Sequence, residues 1–320
     1  MSAGQPVVLV TGPDLAAEAL SLLCDYEVVY TGSAPSEAAI VELCAKYDPV
    51  AVILRYSRLG AAAMDAAPSL KVISKHGSGS DTIDRQAAAE RGIAVRVAAG
   101  ANAAAVAEHA IALLLACAKS VIPLDARMRT GHWDKSTHKS LELEGRTIGL
   151  IGLGAIGARV ARIAQAMGMR VIGHDPYADA FPQSVEPASL DTIWRTADVI
   201  SLHCPLTAES RQMINAKTLS ACKPGVIIIN TARGGLIDEQ ALLEAVRRGQ
   251  VGRAGLDSFA VEPMTAGHPF QTEPRIILSP HVGGVTADAY IKMGVGAARN
   301  ALSVLRGEEE PQSTEVLGPS

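Results

Sequence analysis

The chain has 320 residues, with 48% hydrophobic and 19% charged, which is enough for two packed domains and too apolar for a disordered chain. A formal net charge of −4 and 3% aromatic residues exclude the basic, ring-studded surfaces that hold nucleic acid. The start, Met1-Ser2-Ala3-Gly4-Gln5-Pro6, carries no signal-peptide pattern, and the most apolar run, Ala110 to Ala118, falls short of the ~20 residues needed to cross a bilayer. A cytoplasmic protein without membrane partners is expected.

Short apolar runs alternate with helical patterns along the chain, the signature of parallel sheets with crossover helices. The first series of expected strands is Val7–Val10, Glu27–Tyr30, Val50–Leu54, Lys71–Ser74 and Ala94–Arg96. Helical patterns fall at Leu15–Leu23, at Glu37–Ala45 after Ser36, and at Asp84–Arg91. An alanine-rich apolar helix follows over Ala103–Lys119, with Asn102 as its cap. So apolar a helix is expected to pack between domains or on a second subunit. Arg127–Glu144 reads as an ordered polar excursion. The second series of strands runs Thr147–Ile151, Arg170–Gly173, Val199–Leu202, Val226–Ile229, Ala254–Leu256 and Ile276–Leu278, and the last helix spans Ala287–Leu305. The acidic tail beyond Gly307 is expected to be disordered.

Five cysteines form no Cys-x-x-Cys pair and eight histidines show no His-x-x-x-His spacing, so neither a disulfide framework nor a metal site is expected. The glycine pattern is more informative. Gly152-Leu153-Gly154-Ala155-Ile156-Gly157 follows the strand Thr147–Ile151 and opens a helix expected over Ala158–Met167. There the glycines, with the backbone of Ala155 and Ile156, can cradle a pyrophosphate at a helix N-terminus. The next strand leads to Asp175, placed to accept hydrogen bonds from the adenosine ribose diol and to repel a 2′-phosphate. No Arg or Lys pair follows it, so the cofactor expected is NAD.

Three further segments each follow a strand of the second series: Asn230-Thr231-Ala232-Arg233-Gly234-Gly235, Asp257-Ser258-Phe259-Ala260-Val261-Glu262-Pro263, and Ser279-Pro280-His281-Val282-Gly283-Gly284. Ligands of open parallel sheets lie beyond the carboxyl ends of the strands, so Arg233, Glu262 and His281 are expected on the cofactor's rim. An imidazole titrating near pH ~6.5 can pass a proton to an alkoxide. A neighbouring carboxylate would raise its pKa, and a guanidinium can hold a carboxylate. Each of these three residues also has an ordinary structural reading, as a carbonyl-binding Arg, a turn Glu and a strand-end His.

At these motifs the chain resembles the D-isomer-specific 2-hydroxyacid dehydrogenase family, which includes phosphoglycerate dehydrogenases and hydroxypyruvate reductases. The likeness covers roughly residues 50 to 305, with Gly77-Ser78-Gly79-Ser80-Asp81, Gly100-Ala101-Asn102, Ala107-Glu108-His109-Ala110 and His203-Cys204-Pro205-Leu206-Thr207 besides the segments above. It implies a fold of two doubly wound parallel-sheet α/β domains, with an NAD-binding Rossmann domain (100–284) inserted in a flavodoxin-like substrate domain (1–99 with 285–320). It implies Arg233, Glu262 and His281 as the catalytic trio. It also implies that His203, Cys204, Pro205 and Thr207 line the cofactor, together with Thr231, Ala232, Arg233, Asp257, His281 and Gly283. On the substrate side it implies backbone N–H groups of Ser78 and Gly79, with Arg233 and His281.

Arg55, Lys75 and His76 end neighbouring strands of the first series. The matching places in phosphoglycerate dehydrogenases are basic and meet the substrate phosphate, so a 2-oxo or 2-hydroxy acid with a polar or anionic distal group is expected, and a homodimer. Ser258, Ser80 and His76 depart from the family's usual residues and make the expected pocket more polar. No added regulatory domain is read after the last helix. Two alternatives remain: a formate- or phosphite-type dehydrogenase on the same fold, and a non-catalytic NAD-sensing, corepressor-like protein. The presence of both Glu262 and His281 disfavours the former, and the lack of long interaction segments the latter.

Overall fold

A computed structural model describes residues 4–178 and 180–308. The chain falls into two compact units, one of residues up to Asn102 together with those from Val285, the other of Ala103–Gly284. The expected disordered tail lies, from 309 onward, outside the described residues.

The first unit begins β1 (Val7–Thr11), α1 (Ala17–Leu22), β2 (Glu27–Tyr30), α2 (Glu37–Tyr47), β3 (Ala51–Leu54), α3 (Ala61–Asp65), β4 (Val72–Lys75), α4 (Arg85–Glu90) and β5 (Ala94–Val97). All strand pairs are parallel, in the order β2-β1-β3-β4-β5, a flavodoxin-like sheet whose direction of winding reverses between β1 and β3. β1, β3 and β4 are buried along their whole length, so they read as unbroken apolar runs. Side-chain caps set two helix starts: Ser36 accepts from the Ala39 N–H and Asp84 from the Ala87 N–H. The short α3 was not expected. Its five residues bury only Ala63 and Met64, too few to show a period.

The second unit starts with α5 (Ala103–Lys119) and α6 (Val121–Arg129). It continues β6 (Thr147–Ile151), α7 (Ala155–Ala166), β7 (Arg170–His174), β8 (Glu186–Pro187), α8 (Leu190–Thr196), β9 (Val199–Leu202) and α9 (Ala216–Ala221). It ends β10 (Val226–Asn230), α10 (Glu239–Arg247), β11 (Val251–Leu256) and β12 (Ile276–Leu278). The seven strands lie in the order β12-β11-β10-β9-β6-β7-β8. Counted from β6, this is the doubly wound Rossmann order with one further strand. α7 begins three residues earlier than expected, because the glycines allow the helix to form against the preceding turn.

One row of the register matters most for the site. His174, Ile151, Leu202, Asn230, Leu256 and Leu278 are consecutive neighbours across six strands. The residues that follow them, 175, 152, 203, 231, 257 and 279, therefore leave the sheet along a single edge.

Much of the apolar surface of α5 is covered inside its own unit. Ala107, Ala110, Ile111, Leu113, Leu114, Cys117 and Ala118 pack in one core with Ile148, Leu150, Val160, Ala161, Ile227 and Ile229 of the same unit. The helix is apolar on so wide a face because it covers both α7 and the strands β10 and β11. At Gly255 of β11 an added Cβ would lie 2.9 Å from Leu113 Cβ. α6 was not expected; the excursion expected at Arg127–Glu144 starts in its last turn, where Arg127 donates two hydrogen bonds to Asp134.

The chain then returns to the first unit through α11 (Ala287–Arg306), capped by Thr286 and ended by Gly307 in the left-handed region. Its small residues Ala297, Ala298 and Ala301 are fully buried in a core with Val8, Val10, Ala19 and Val72. Two buried bonds fix its height on the sheet, Ser74 Oγ to the Ala297 carbonyl (2.8 Å) and Asn300 Nδ2 to the Val97 carbonyl (2.9 Å).

Because Leu114 is 1% exposed in a core that belongs to one unit, Leu114→Ala should destabilise that unit by about 2–5 kcal/mol. The shift of the urea midpoint at constant slope measures this.

Candidate active site

The glycine turn after β6 is shaped by contact with its own unit. Gly152 has φ +92, and a Cβ there would stand 2.6 Å from the His203 carbonyl carbon. A Cβ at Gly157 would stand 2.1 Å from the Gly152 carbonyl oxygen, whereas one at Gly154 would meet nothing within 4 Å. The first and third glycines thus close the turn, and the second leaves room for another molecule to approach the backbone. α7 starts with Gly154 as its cap and no side chain on its free N–H groups, so a phosphate fits this end. Ala155 is exposed and Ile156 half-buried at the same helix start.

Asp175, half-buried at the end of β7, is oriented by the turn. Its Oδ2 accepts the Leu153 N–H (2.8 Å) and its Oδ1 the Tyr177 N–H (2.9 Å). Each oxygen keeps a further lone pair for a diol. His203 bonds Ser201 Oγ at 2.9 Å, and burial pushes its imidazole down to about 4, which makes it a neutral ring near pH 7. Burial likewise pushes the Cys204 thiol up to about 11, so it is no thiolate. Pro205 and Thr207 are tied together by Ser210, whose Oγ donates to the Pro205 carbonyl and accepts the Thr207 N–H, both at 2.8 Å.

Beyond β10 the fully buried Asn230 shapes the turn, accepting the Ala232 N–H (3.0 Å) and donating to the Arg233 carbonyl (2.9 Å). The Arg233 guanidinium donates to the Ala232 carbonyl at 2.9 Å. A Cβ at Gly234 would lie 1.9 Å from the Phe259 carbonyl carbon, so only glycine lets this turn abut the one after β11. Thr231 Oγ1 and Ser258 Oγ are buried and find no hydrogen-bond partner among the described residues. A buried hydroxyl without a partner is costly, and Thr231 Oγ1 fits a bound polar molecule at this rim.

The turns after β11 and β12 meet at Glu262 and His281. Glu262 Oε2 lies 2.7 Å from His281 Nδ1, and Oε1 accepts the Phe259 N–H at 2.9 Å. An ionised carboxylate only accepts, so Nδ1 carries the proton and Nε2 faces outward without a partner among the described residues. The bond to Glu262 raises the His281 pKa above its ordinary value, against burial and the nearby Arg233 charge, which both lower it. Burial works to raise the Glu262 carboxyl, but the bond from His281, the Phe259 N–H and the charge of Arg233 hold it below the ordinary value.

His281 has φ 55, a left-handed backbone rare for a side chain of this size. Asp257, 1% exposed, accepts the Val282 N–H (2.9 Å) and the Gly283 N–H (2.8 Å) immediately after it. Asp257 therefore spends its oxygens on the loop, a role that its strand-end position alone did not disclose.

The first unit has its own polar cluster where its sheet changes direction. Thr11 and Leu54 are register neighbours, as are Leu54 and Lys75, so Gly12, Arg55 and His76 leave one edge. Arg55 Nη1 bonds the Asp14 carbonyl (2.7 Å) and Oδ1 (2.5 Å), and Tyr290 Oη donates to the same oxygen at 2.9 Å. Lys75 Nζ donates to the Arg55 carbonyl. Burial, with the Arg55 charge, pushes His76 down to about 4. Arg55 Nε and His76 Nε2 are both buried without a partner among the described residues. Ser78 is exposed and Gly79 half-buried in the loop that follows, and Ser78 Oγ donates to Asn102 Oδ1 at 3.1 Å. Asp14 and Tyr290 were missing from the sequence reading, which holds no signal for a contact across 276 positions.

Comparison with known proteins bears on this arrangement. Residues 111–283 match the family described as D-isomer specific 2-hydroxyacid dehydrogenase, NAD binding domain. The chain is 38% identical over 316 residues to a D-3-phosphoglycerate dehydrogenase of Mycobacterium leprae, covering 98% of this chain and 59% of that one. It thus spans less than two thirds of the mycobacterial protein. It is 43% identical over 248 residues to a hydroxypyruvate reductase of Thermotoga maritima, covering 77% of this chain and 81% of that one. A Thermus thermophilus crystal structure matches with a TM-score of 0.89 at 38% identity, over 97% of this chain and 100% of that one.

If the Glu262 bond raises the His281 pKa, Glu262→Gln should bring it down toward the free-imidazole value of about 6.5. An NMR titration of the imidazole protons reads this directly, and an unchanged value would show the two side chains to be uncoupled.

Proposed function

The chain belongs to the D-isomer-specific 2-hydroxyacid dehydrogenase family, and from that premise we propose that it is an NAD-dependent oxidoreductase interconverting a small D-2-hydroxy acid and its 2-oxo acid. The 2.7 Å pair of His281 Nδ1 and Glu262 Oε2 carries this reading, because reducing a keto group requires a proton as well as a hydride. NAD, when bound, supplies the hydride exchange. His281 Nε2–H gives its proton to the oxygen emerging at the substrate's second carbon, and Nε2 takes it back in the oxidative direction. Glu262 keeps the ring oriented and favours the imidazolium, and Arg233 holds the substrate carboxylate. The open backbone at Gly154 and the start of α7 receive the pyrophosphate. Asp175 grips the ribose diol and discriminates against a 2′-phosphate.

On the substrate side, the N–H groups of Ser78 and Gly79 receive the carboxylate, and Arg55, Lys75 and His76 receive a polar or anionic distal group. The support is the shared sheet edge and the two unsatisfied nitrogens, Arg55 Nε and His76 Nε2. Asp14 offsets part of the positive charge, so hydroxypyruvate and phosphohydroxypyruvate are both substrates of the right class. We also propose a homodimer, which the exposed Val121, Ile122, Met128 and Trp133 support. A cytoplasmic setting accords with the finding that no single helix among the described residues is long and apolar enough to cross a membrane.

NADH absorbance followed with hydroxypyruvate, phosphohydroxypyruvate, glyoxylate and pyruvate in turn tests the reading, which fails if none is reduced. His281→Ala should lower kcat about 10²- to 10⁴-fold with NADH affinity unchanged. Because the His281 pKa is raised, reduction by the wild type should hold steady at low pH and fall only as pH rises through that value.

Arg55→Ala should cost roughly 10- to 150-fold in kcat/KM on a substrate with a distal anion, the worth of a charge-assisted contact, and little on glyoxylate. Equal losses on both would assign Arg55 to packing alone.

A further inference from the structure

We infer that His109 is a positioning residue for His281, acting through Ser279 and Asp257 to hold the loop that presents the imidazole. The inference rests on the proposed acid–base role of His281. It starts from the hydrogen bonds of one buried carboxylate, since an ionised group at 1% exposure persists only when its lone pairs are satisfied. Asp257 Oδ1 accepts the Ser279 hydroxyl at 2.5 Å and the Val282 N–H at 2.9 Å, and Oδ2 accepts the Gly283 N–H at 2.8 Å.

A hydroxyl has one proton to give, and Ser279 gives it to Asp257. His109 Nε2, 2.9 Å from Ser279 Oγ, must then be the donor in that contact. The same nitrogen is 3.3 Å from Asp257 Oδ1. The order of donation is therefore His109 Nε2–H to Ser279 Oγ, and Ser279 Oγ–H to Asp257. Three donors converge on the carboxylate, one from Ser279 and two from the backbone just beyond His281, and His109 on α5 supports them from behind through Ser279.

The loop is tied on both sides of its strained residue. The His281 N–H donates to the Ser279 carbonyl at 3.0 Å, and a Cβ on Gly283 would stand 2.8 Å from Asp257 Oδ2 and 3.2 Å from His109 Cδ2. No side chain fits between the loop and the relay. His281 keeps φ 55 because these contacts over-determine it. The Asp257 charge also contributes to the raised His281 pKa. Without the His109 donor, Ser279 Oγ loses the bond that holds it against Asp257, the loop is less firmly held, and His281 spends less time bonded to Glu262.

Packing and donation are separable by substitution. His109→Phe keeps the ring volume without the donor, whereas His109→Gln supplies an amide N–H. In cofactor-free protein the His281 pKa, read by NMR, should drop toward about 6.5 in His109→Phe and stay raised in His109→Gln. In parallel, kcat should fall roughly 10-fold in His109→Phe with the dissociation constant for NADH unchanged, and recover in His109→Gln. Ser279→Ala interrupts the relay at its centre and should act in the same direction. Adding His109→Phe to it should cost nothing more, since coupled residues are not additive.

A His281 pKa and kcat at wild-type values in His109→Phe would overturn the inference, as would full additivity in the double variant. If the pKa responds as expected while the wild type reduces no 2-oxo acid, the positioning role stands and the proposed activity falls.

Discussion

The candidate site depends on the register of the seven-stranded sheet. Six strands end on one row, from His174 through Ile151, Leu202, Asn230 and Leu256 to Leu278. A shift of one residue in any pair would turn that strand's side chains to the other face and carry its loop away from the edge. Such shifts are resisted because the central strands are buried on both faces. The apolar packing of β6, β9 and β10 thus governs where Asp175, Arg233 and His281 emerge, although none of these belongs to the core.

Charge is arranged along that edge in a graded way. Glu262 and Asp257 both favour the protonated form of His281, while Arg233 opposes it and lowers Glu262 in turn. His203, three strands away, is neutral near pH 7 because burial disfavours its charge. Two imidazoles at the ends of strands in one sheet are thereby pushed in opposite directions, one toward holding a proton and the other toward a neutral ring bonded to Ser201. The difference is a carboxylate at 2.7 Å against a hydroxyl at 2.9 Å.

Much of this was legible from residue order because the informative features are local. Unbroken β-branched runs such as Val226-Ile227-Ile228-Ile229 mark strands buried on both faces, and each candidate side chain follows such a run within a few positions. What could not be read has physical causes. β11 starts earlier than expected, at Val251, because Gly252 and Arg253 interrupt the run; Gly252 is required where an added Cβ would lie 2.7 Å from the Gly225 carbonyl oxygen. α6 has no buried residue and hence no period, and β8 is two exposed residues. The Asp14–Arg55–Tyr290 cluster and the His109–Ser279 bond join residues 41, 276 and 170 positions apart. No local pattern encodes contacts of that span.

The return of α11 to the first sheet sets an order of events during synthesis. The second unit is contiguous, from Ala103 to Gly284, so every strand and helix it requires has been made before α11 emerges. The first unit, although its sheet is made earliest, lacks the helix that covers Val8, Val10 and Val72 until the chain has grown to Arg306. Its apolar face stays open throughout the translation of about 180 intervening residues, at roughly 5–20 residues per second, while its neighbour can already be folded. Of the two units, the one whose sheet is made first is thus the later to be completed, and it carries the longer exposure to chaperones, proteases and misassembly.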